Sequence, residues 1–282
     1  EHEALGGGSV RRLYCRLTSF SRSLQTILRI NLDGTDISEL VLGLECGGSD
    51  PTSGIAGNPS VGVVSDKLIK LGGTSILSET TELIGAEHLV AARCVTRELG
   101  ENLTAMVKRV EDKSKLYGVD LRGTQPTPGN IAGRLTTIEE KSLGCIHKAG
   151  RSPVIGVLEY AESIDPKKHG LYFMDTPGED IDSITGMIAG GAQLILFTTG
   201  RGTPTGSPIA PVIKITGNPE TYEKMATNID INAGKIITEG KSVNKMSEEI
   251  FDKMLAVANG ERSKAEALGH QEFGIYRIGD TF

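Results

Sequence analysis

One stretch constrains this chain more than any other: Gly43-Leu44-Glu45-Cys46-Gly47-Gly48-Ser49-Asp50-Pro51-Thr52-Ser53-Gly54. Before it stands Leu40-Val41-Leu42, an apolar run of the length of a buried strand. After it, residues 61–71 carry apolar side chains at helical spacing. Asn58 is placed to cap that helix, Pro59 fits its first turn, and Gly72-Gly73 ends it. The unit reads as strand, polar glycine-rich loop, helix. Open α/β sheets bind their ligands at such loops, beyond the carboxyl ends of the strands. This one gathers a thiol (Cys46), two hydroxyls (Ser49, Ser53) and a carboxylate (Asp50). Its glycines let backbone N–H groups approach an anion.

The same layout recurs down the chain. Strands are expected at residues 74–77, 154–158, 171–174, 194–197 and 212–215. Helices are expected at 86–96, 102–117, 138–149 and 184–189, and from an Asn218 cap through Met225. Ser242 is placed to cap a last helix, closed by Gly260, in which Met246, Ile250, Met254 and Val257 share one face. Such alternation predicts an α/β fold with a mostly parallel sheet and helices on both faces. Residues 123–134, rich in Thr, Pro, Gly and Asn, read as neither helix nor strand. They are either a boundary between two subdomains, near 118–134, or an active-site loop. Gly57-Asn58-Pro59 and Gly217-Asn218-Pro219 use one device twice, which suggests two related α/β halves.

Composition narrows the function. A length of 282 residues allows one large or two smaller domains, and a net charge of −6 offers nucleic acid no broad basic surface. No apolar run has the length of a membrane span and no signal peptide opens the sequence, so a cytoplasmic protein is expected. Cys15, Cys46, Cys94 and Cys145 are scattered, without the paired spacing of a zinc or redox motif; free thiols are expected. No Gly-Lys-Ser/Thr or GxGxxG pattern follows a strand, which argues against a nucleotide enzyme.

Further motifs follow in order: Gly73-Thr74-Ser75-Ile76-Leu77-Ser78-Glu79-Thr80, Gly85-Ala86-Glu87-His88, Pro128-Gly129-Asn130, residues 135–144, Met174-Asp175-Thr176-Pro177, Phe197-Thr198-Thr199-Gly200-Arg201-Gly202 and Asp230-Ile231-Asn232-Ala233-Gly234. With the opening stretch they resemble the large catalytic domain of the altronate and galactarate dehydratases, a family that also takes in the large subunit of sulfolactate sulfo-lyase. The resemblance covers residues 37–282 and leaves 1–36 as a linker or arm. It implies an α/β fold of unusual or knotted topology and removal of water from a sugar acid to give a 2-keto-3-deoxy acid. It also implies dependence on iron(II) or manganese, and a small N-terminal domain or separate small subunit beyond this chain. A homodimer is left open. The alternatives are release of sulfite from sulfolactate, or a non-catalytic acid-binding module lacking its partner domain.

Such an elimination needs a base for a weakly acidic proton, stabilisation of an enediolate, and an acid or Lewis acid for the leaving hydroxyl. Glu79, Glu82 and His88 are the densest titratable set near an expected strand end and are candidate metal ligands. A capping role for the glutamates and a core position for His88 are the plainer reading. Cys46, Asp50, Glu79 and Lys141 are candidate catalytic groups, against a buried small thiol, an Asx turn and a solvated helix-face lysine for Cys46, Asp50 and Lys141. Arg201 is suited to grip a substrate carboxylate with two hydrogen bonds, against a surface salt bridge as the plainer role, and Thr198, Thr199, Ser49, Ser53 and Asn130 are further candidates for substrate binding. Two residues depart from the family pattern: Arg134 stands where glycine is common, and Glu45 where glutamine is frequent.

Overall fold

The computed structural model describes residues 36–276, so nearly all of the expected N-terminal arm lies outside the described residues. The strands are β1 (Val41–Gly47), β2 (Thr74–Leu77), β3 (Val154–Leu158), β4 (Leu171–Met174), β5 (Leu194–Thr199), β6 (Val212–Thr216) and β7 (Ile231–Asn232). The helices are α1 (Asn58–Lys70), α2 (Glu87–Ala91), α3 (Arg97–Leu116), α4 (Leu121–Thr124), α5 (Pro128–Ala132) and α6 (Ile138–Cys145). They continue with α7 (Asp180–Ala189), α8 (Pro219–Lys224), α9 (Lys235–Thr238), α10 (Val243–Ala258) and α11 (Lys264–Leu268). All seven strands form one parallel sheet in the order β3-β4-β2-β1-β5-β6-β7. Strands from both sides of residues 118–134 therefore share a single sheet.

Alternation along the central strands decides what covers each face. Leu42 and Leu44 of β1 and Leu194 and Leu196 of β5 point to one side, where they pack on Val61, Val64 and Leu68 of α1 and Met246, Ile250 and Met254 of α10. Val41, Ile195 and Phe197 point to the other, against Ile184 and Met187 of α7. Both faces are apolar because parallel strands are covered twice, and each fully buried Leu, Ile or Phe contributes about 1.5–3 kcal/mol relative to exposure. A third apolar cluster joins Leu77 and Phe173 to Val90, Leu103 and Val107, under the helical segment between β2 and β3.

Several expectations change in detail. The strand at 40–42 runs on to Gly47, and a helical course resumes at Pro51, so the polar loop is only residues 48–50. Residues Ser53–Gly57 form a π-helical turn that leads directly into α1. Asn58 is thereby helical, not a cap; it is buried, donates to the Gly144 carbonyl and accepts from Thr198 Oγ1. Residues 123–134 are largely helical after all. Thr127 and Asn130 close a capping box on α5 and Pro128 stands in its first turn, local chemistry that outweighs the Gly and Pro content. The expected helix at 86–96 shortens to α2, whereas Asn218 and Ser242 cap α8 and α10 as the sequence predicts. No helix of the described residues is long and apolar enough to cross a membrane.

Candidate active site

The sheet changes direction at β1. The chain passes from β1 to β2 on one side, completes β3 and β4 there, and then crosses to β5 on the other. The loops after β1 and β5 consequently diverge around a crevice at the carboxyl edge, the ligand position of open α/β sheets. Two layers of polar groups occupy this edge, one buried and one open.

The buried layer is ionic. Glu79 follows β2 in a left-handed conformation (φ 70°, ψ 79°), strained for a residue with a side chain. Its Oε2 accepts from Lys148 Nζ at 2.7 Å and from the Cys46 amide at 3.0 Å, and its own amide donates to Thr176 Oγ1 at 2.7 Å. Lys148 and Glu79 are 0% and 1% exposed, so each is the other's counter-charge in a medium that cannot solvate either. Burial pulls the Lys148 ammonium towards losing its proton, but Cys46, Glu79, Cys145 and Glu45 hold it well above the ordinary lysine value. Glu45, on β1, accepts from Ser183 Oγ at 2.6 Å and Ser78 Oγ at 3.2 Å, while its Oε1 is buried without a hydrogen-bond partner among the described residues. Burial, then the charge of Glu79, pushes Glu45 well above the usual carboxylate range.

Asp180, at the start of α7, completes a set in which one oxygen each of Glu45, Glu79 and Asp180 lie within 4.8 Å of one another. Burial and the neighbouring carboxylates, Glu79 first, raise Asp180 to about 7. Gly47 makes this approach possible, since a Cβ there would lie 2.5 Å from Asp180 Oδ2.

A second set joins Cys46, Glu82 and Cys145 within the same distance. The two sulfurs are 3.5 Å apart, and Cys145 Sγ donates to Glu82 Oε2 at 2.7 Å. Its hydrogen bond with Cys145, together with burial, holds the Cys46 thiol well above its ordinary value. Cys145 is drawn down by its bond to Cys46 but ends above its ordinary value through burial and the Glu82 charge. Glu82 Oε1 also takes Lys141 Nζ at 2.7 Å; burial opposes the charge on Lys141, but Glu82 outweighs it and keeps the ammonium protonated.

The open layer consists of two adjoining cavities. The smaller, about 180 Å³, is lined by Ser49, Ser53, Glu140, Lys141 and Cys145 among others, and so reaches the buried groups. The larger, about 1000 Å³, is lined by Gly133, Arg134, Gly200, Arg201, Asn218 and Thr221 among others. Asp50 and Pro51 line both. Asp50 is the cap of the helical course at Pro51: Oδ1 accepts from Ser53 N at 3.1 Å and Thr52 Oγ1 at 2.5 Å, and Oδ2 from Asn218 Nδ2 at 2.9 Å. The loop carrying Arg201 is held by Thr221 Oγ1 on the Gly200 carbonyl and, beyond it, by Lys214, whose Nζ donates to the Pro204 and Thr205 carbonyls. Burial pushes Lys214 down to about 8.

The structure gathers most of the predicted residues at this edge but distributes them. Cys46, Glu79 and Glu82 enter the buried layer, and Asp50, Lys141 and Arg201 line the cavities. His88 is exposed on α2 and joins neither acidic set, while Glu79 and Glu82 fall into different ones. Thr198 bonds Asn58 Oδ1, Thr199 Oγ1 accepts from the Gly202 amide, and Asn130 Nδ2 donates to the Ser49 carbonyl, so these three hold the site's frame. Ser53 serves the Asp50 cap, and Ser49 Oγ points to Cys46 Sγ at 3.7 Å. Sequence reasoning missed Cys145, Lys148, Asp180 and the site role of Glu45. The signal the sequence offered at Glu45 was its departure from the glutamine frequent in the family; the strand that buries it runs five residues past the expected end.

Residues 37–281 match the family model described as D-galactarate/altronate dehydratase, C-terminal. The chain belongs to this family. Among curated relatives within it, the beta subunit of (2R)-sulfolactate sulfo-lyase from Chromohalobacter salexigens is 43% identical over 247 residues, 86% of this chain and 62% of that one. Altronate dehydratase from Escherichia coli is 40% identical over 245 residues, 87% of this chain and 48% of the relative. Galactarate dehydratase (L-threo-forming) from Escherichia coli is 37% identical over 241 residues, 86% and 46% respectively. The chain spans about half the length of the curated relatives it matches.

Proposed function

We propose that this chain is the catalytic portion of a lyase that removes water from a sugar acid and leaves a 2-keto-3-deoxy acid. One observation carries the reading: a strained Glu79, its buried Lys148 partner and two further carboxylates converge at the sheet edge that also holds two adjoining cavities, one lined by Lys141 and Cys145 and the other by Arg201. A buried charge cluster of this kind costs stability, and such arrangements concentrate at sites of chemistry. Family membership supports the same reaction class.

Arg201 is suited to grip the substrate carboxylate with two parallel N–H bonds. Lys141, kept protonated by Glu82, stabilises negative charge as the α proton leaves. Asp50 lines both cavities, and its Oδ2, beside the bond it accepts from Asn218, is the base proposed for that proton. Cys145, a protonated thiol on the cavity wall, rests its S–H on Glu82 and would exchange that bond for one to the departing hydroxyl as it gives up the proton.

The residues also fit the divalent ion that the family resemblance implies. Glu45, Glu79 and Asp180 form an all-oxygen set suited to iron(II) or manganese, and Glu45 Oε1 is an acceptor without a partner that an ion would complete. The Cys46, Glu82 and Cys145 set fits less well, because both Glu82 oxygens are already taken, one by Cys145 and the other by Lys141. A bound ion would supply Lewis-acid stabilisation of carboxylate and leaving-group charge.

A small domain, fused or supplied as a separate subunit, is proposed as the partner; one relative is itself named a beta subunit. The test is anaerobic turnover of altronate, galactarate and (2R)-sulfolactate by chain loaded with iron(II) or manganese, with and without a family small domain. A 2-keto-3-deoxy acid product supports the proposal. Sulfite from sulfolactate alone would move the chain to the sulfo-lyase reaction, a reading favoured by the 43% identity to that relative.

A further inference from the structure

Arg134 adopts φ 77°, in the left-handed region where an L side chain is strained and glycine is at ease. Its guanidinium is exposed, lines the 1000 Å³ cavity and has no hydrogen-bond or ion-pair partner among the described residues. Arg201 lines the same cavity, also exposed and without a carboxylate partner among the described residues. Its Nη1 packs so close to Gly129 that a Cβ there would lie 2.2 Å away. The two arginines flank Asp50: a Cβ on Gly133, which precedes Arg134, would lie 3.3 Å from Asp50 Cβ, and one on Gly200, which precedes Arg201, would lie 2.5 Å from Asp50 Oδ1. The Asp50 carboxylate is engaged by Thr52, Ser53 and Asn218, not by either arginine. Glu220, also on the wall, is paired with Lys224. The cavity therefore carries two uncommitted positive charges on neighbouring loops.

We infer that Arg134 and Arg201 form a paired anion site, and that this chain takes an acid with two anionic groups, a dicarboxylate or a carboxylate-sulfonate, in preference to a monocarboxylate. This deepens the lyase reading and rests on it. Arg201 holds one anionic group and Arg134 the other. The left-handed backbone at Arg134 is explained by the end of α5, where its N–H bonds the Ile131 carbonyl and the Leu135 N–H bonds the Asn130 carbonyl, so only the side chain is left uncommitted.

Glycine suits the backbone at this position, so Arg134→Gly keeps the fold and its effect on binding is read cleanly. Isothermal titration of galactarate, (2R)-sulfolactate and altronate is compared for the parent chain, Arg134→Gly and Arg134→Lys. Arg134→Gly is expected to weaken the bound dianion about tenfold or more, the worth of one charge-assisted hydrogen bond, and to leave altronate within about twofold. Arg134→Lys should recover part of the loss. Whichever dianion binds identifies the second group as carboxylate or sulfonate. Equal weakening of all three acids, unchanged dianion binding, a parent chain that prefers altronate, or one that binds none of the three would overturn the inference. Turnover separates it from the lyase reading: dehydration of altronate by the parent chain with a kcat/KM at or above that for either dianion keeps the lyase and removes the second anion site.

Discussion

Lys148 Nζ lies 2.7 Å from Glu79 Oε2, and neither residue reaches solvent. Lys148→Met leaves a buried carboxylate without its counter-charge and is expected to destabilise the fold by about 3–5 kcal/mol. Glu79→Gln combined with Lys148→Met should lose much less than the sum of the two single changes. Urea midpoints for the three variants check this; additive losses would show that the two groups are not coupled.

Asp180 is raised from its ordinary value to about 7. Between about pH 4 and 7 the folded chain binds more protons at this group than the unfolded chain, so its contribution to stability falls as pH rises. The penalty is complete above pH 7. Asp180→Asn, measured in chelator, should raise the thermal midpoint at pH 8 by several degrees and change it little at pH 4. Manganese added at pH 8 should stabilise the parent chain in the same direction and the variant less.

Gly62 sits where α1 passes under the turn that carries Lys148. A Cβ at this position would lie 2.1 Å from the His147 carbonyl oxygen, a backbone atom that cannot swing aside. Gly62→Ala should therefore cost about 1–3 kcal/mol and displace Lys148 from Glu79. Turnover should fall far more than stability does, as thermal unfolding and kcat measured on the same sample will show.

Cys46 and Cys145 are buried, and both thiols are held above their ordinary value. In a Cys15→Ser, Cys94→Ser background, a disulfide reagent at pH 8 should modify Cys46 only at the rate at which the native protein opens, and Cys145, on the wall of the 180 Å³ cavity, slowly. Rapid labelling of two thiols in the folded chain would contradict the buried arrangement.

Much of the fold was legible because its signals are local. Residues 74–77, 154–158 and 171–174 are apolar runs of strand length, and β2, β3 and β4 occupy those bounds. Asn218 and Ser242 cap α8 and α10 through hydrogen bonds within three residues. Where local signals misled, a distant partner or a compact cap decided. Asn58 looks like a cap, but it is drawn into the helix and held by Gly144 and Thr198. Residues 127–130 look like a loop, but the Thr127 and Asn130 side chains close a helical turn.

The sequence by itself determined the alternating α/β pattern, the family, and the edge of the sheet where a ligand would sit, because periodicity, caps and glycine-rich loops act over a few residues. Tertiary structure alone decided which charges meet. Glu79 and Lys148 are 69 positions apart, Cys46 and Cys145 are 99, and Glu45 and Ser183 are 138. Lys148 in isolation reads as an ordinary helix-end lysine and Asp180 as an ordinary helix-start acid. Only the closing of β1, β2 and α7 around one buried point removes their water, and that desolvation turns common residues into an ionic centre.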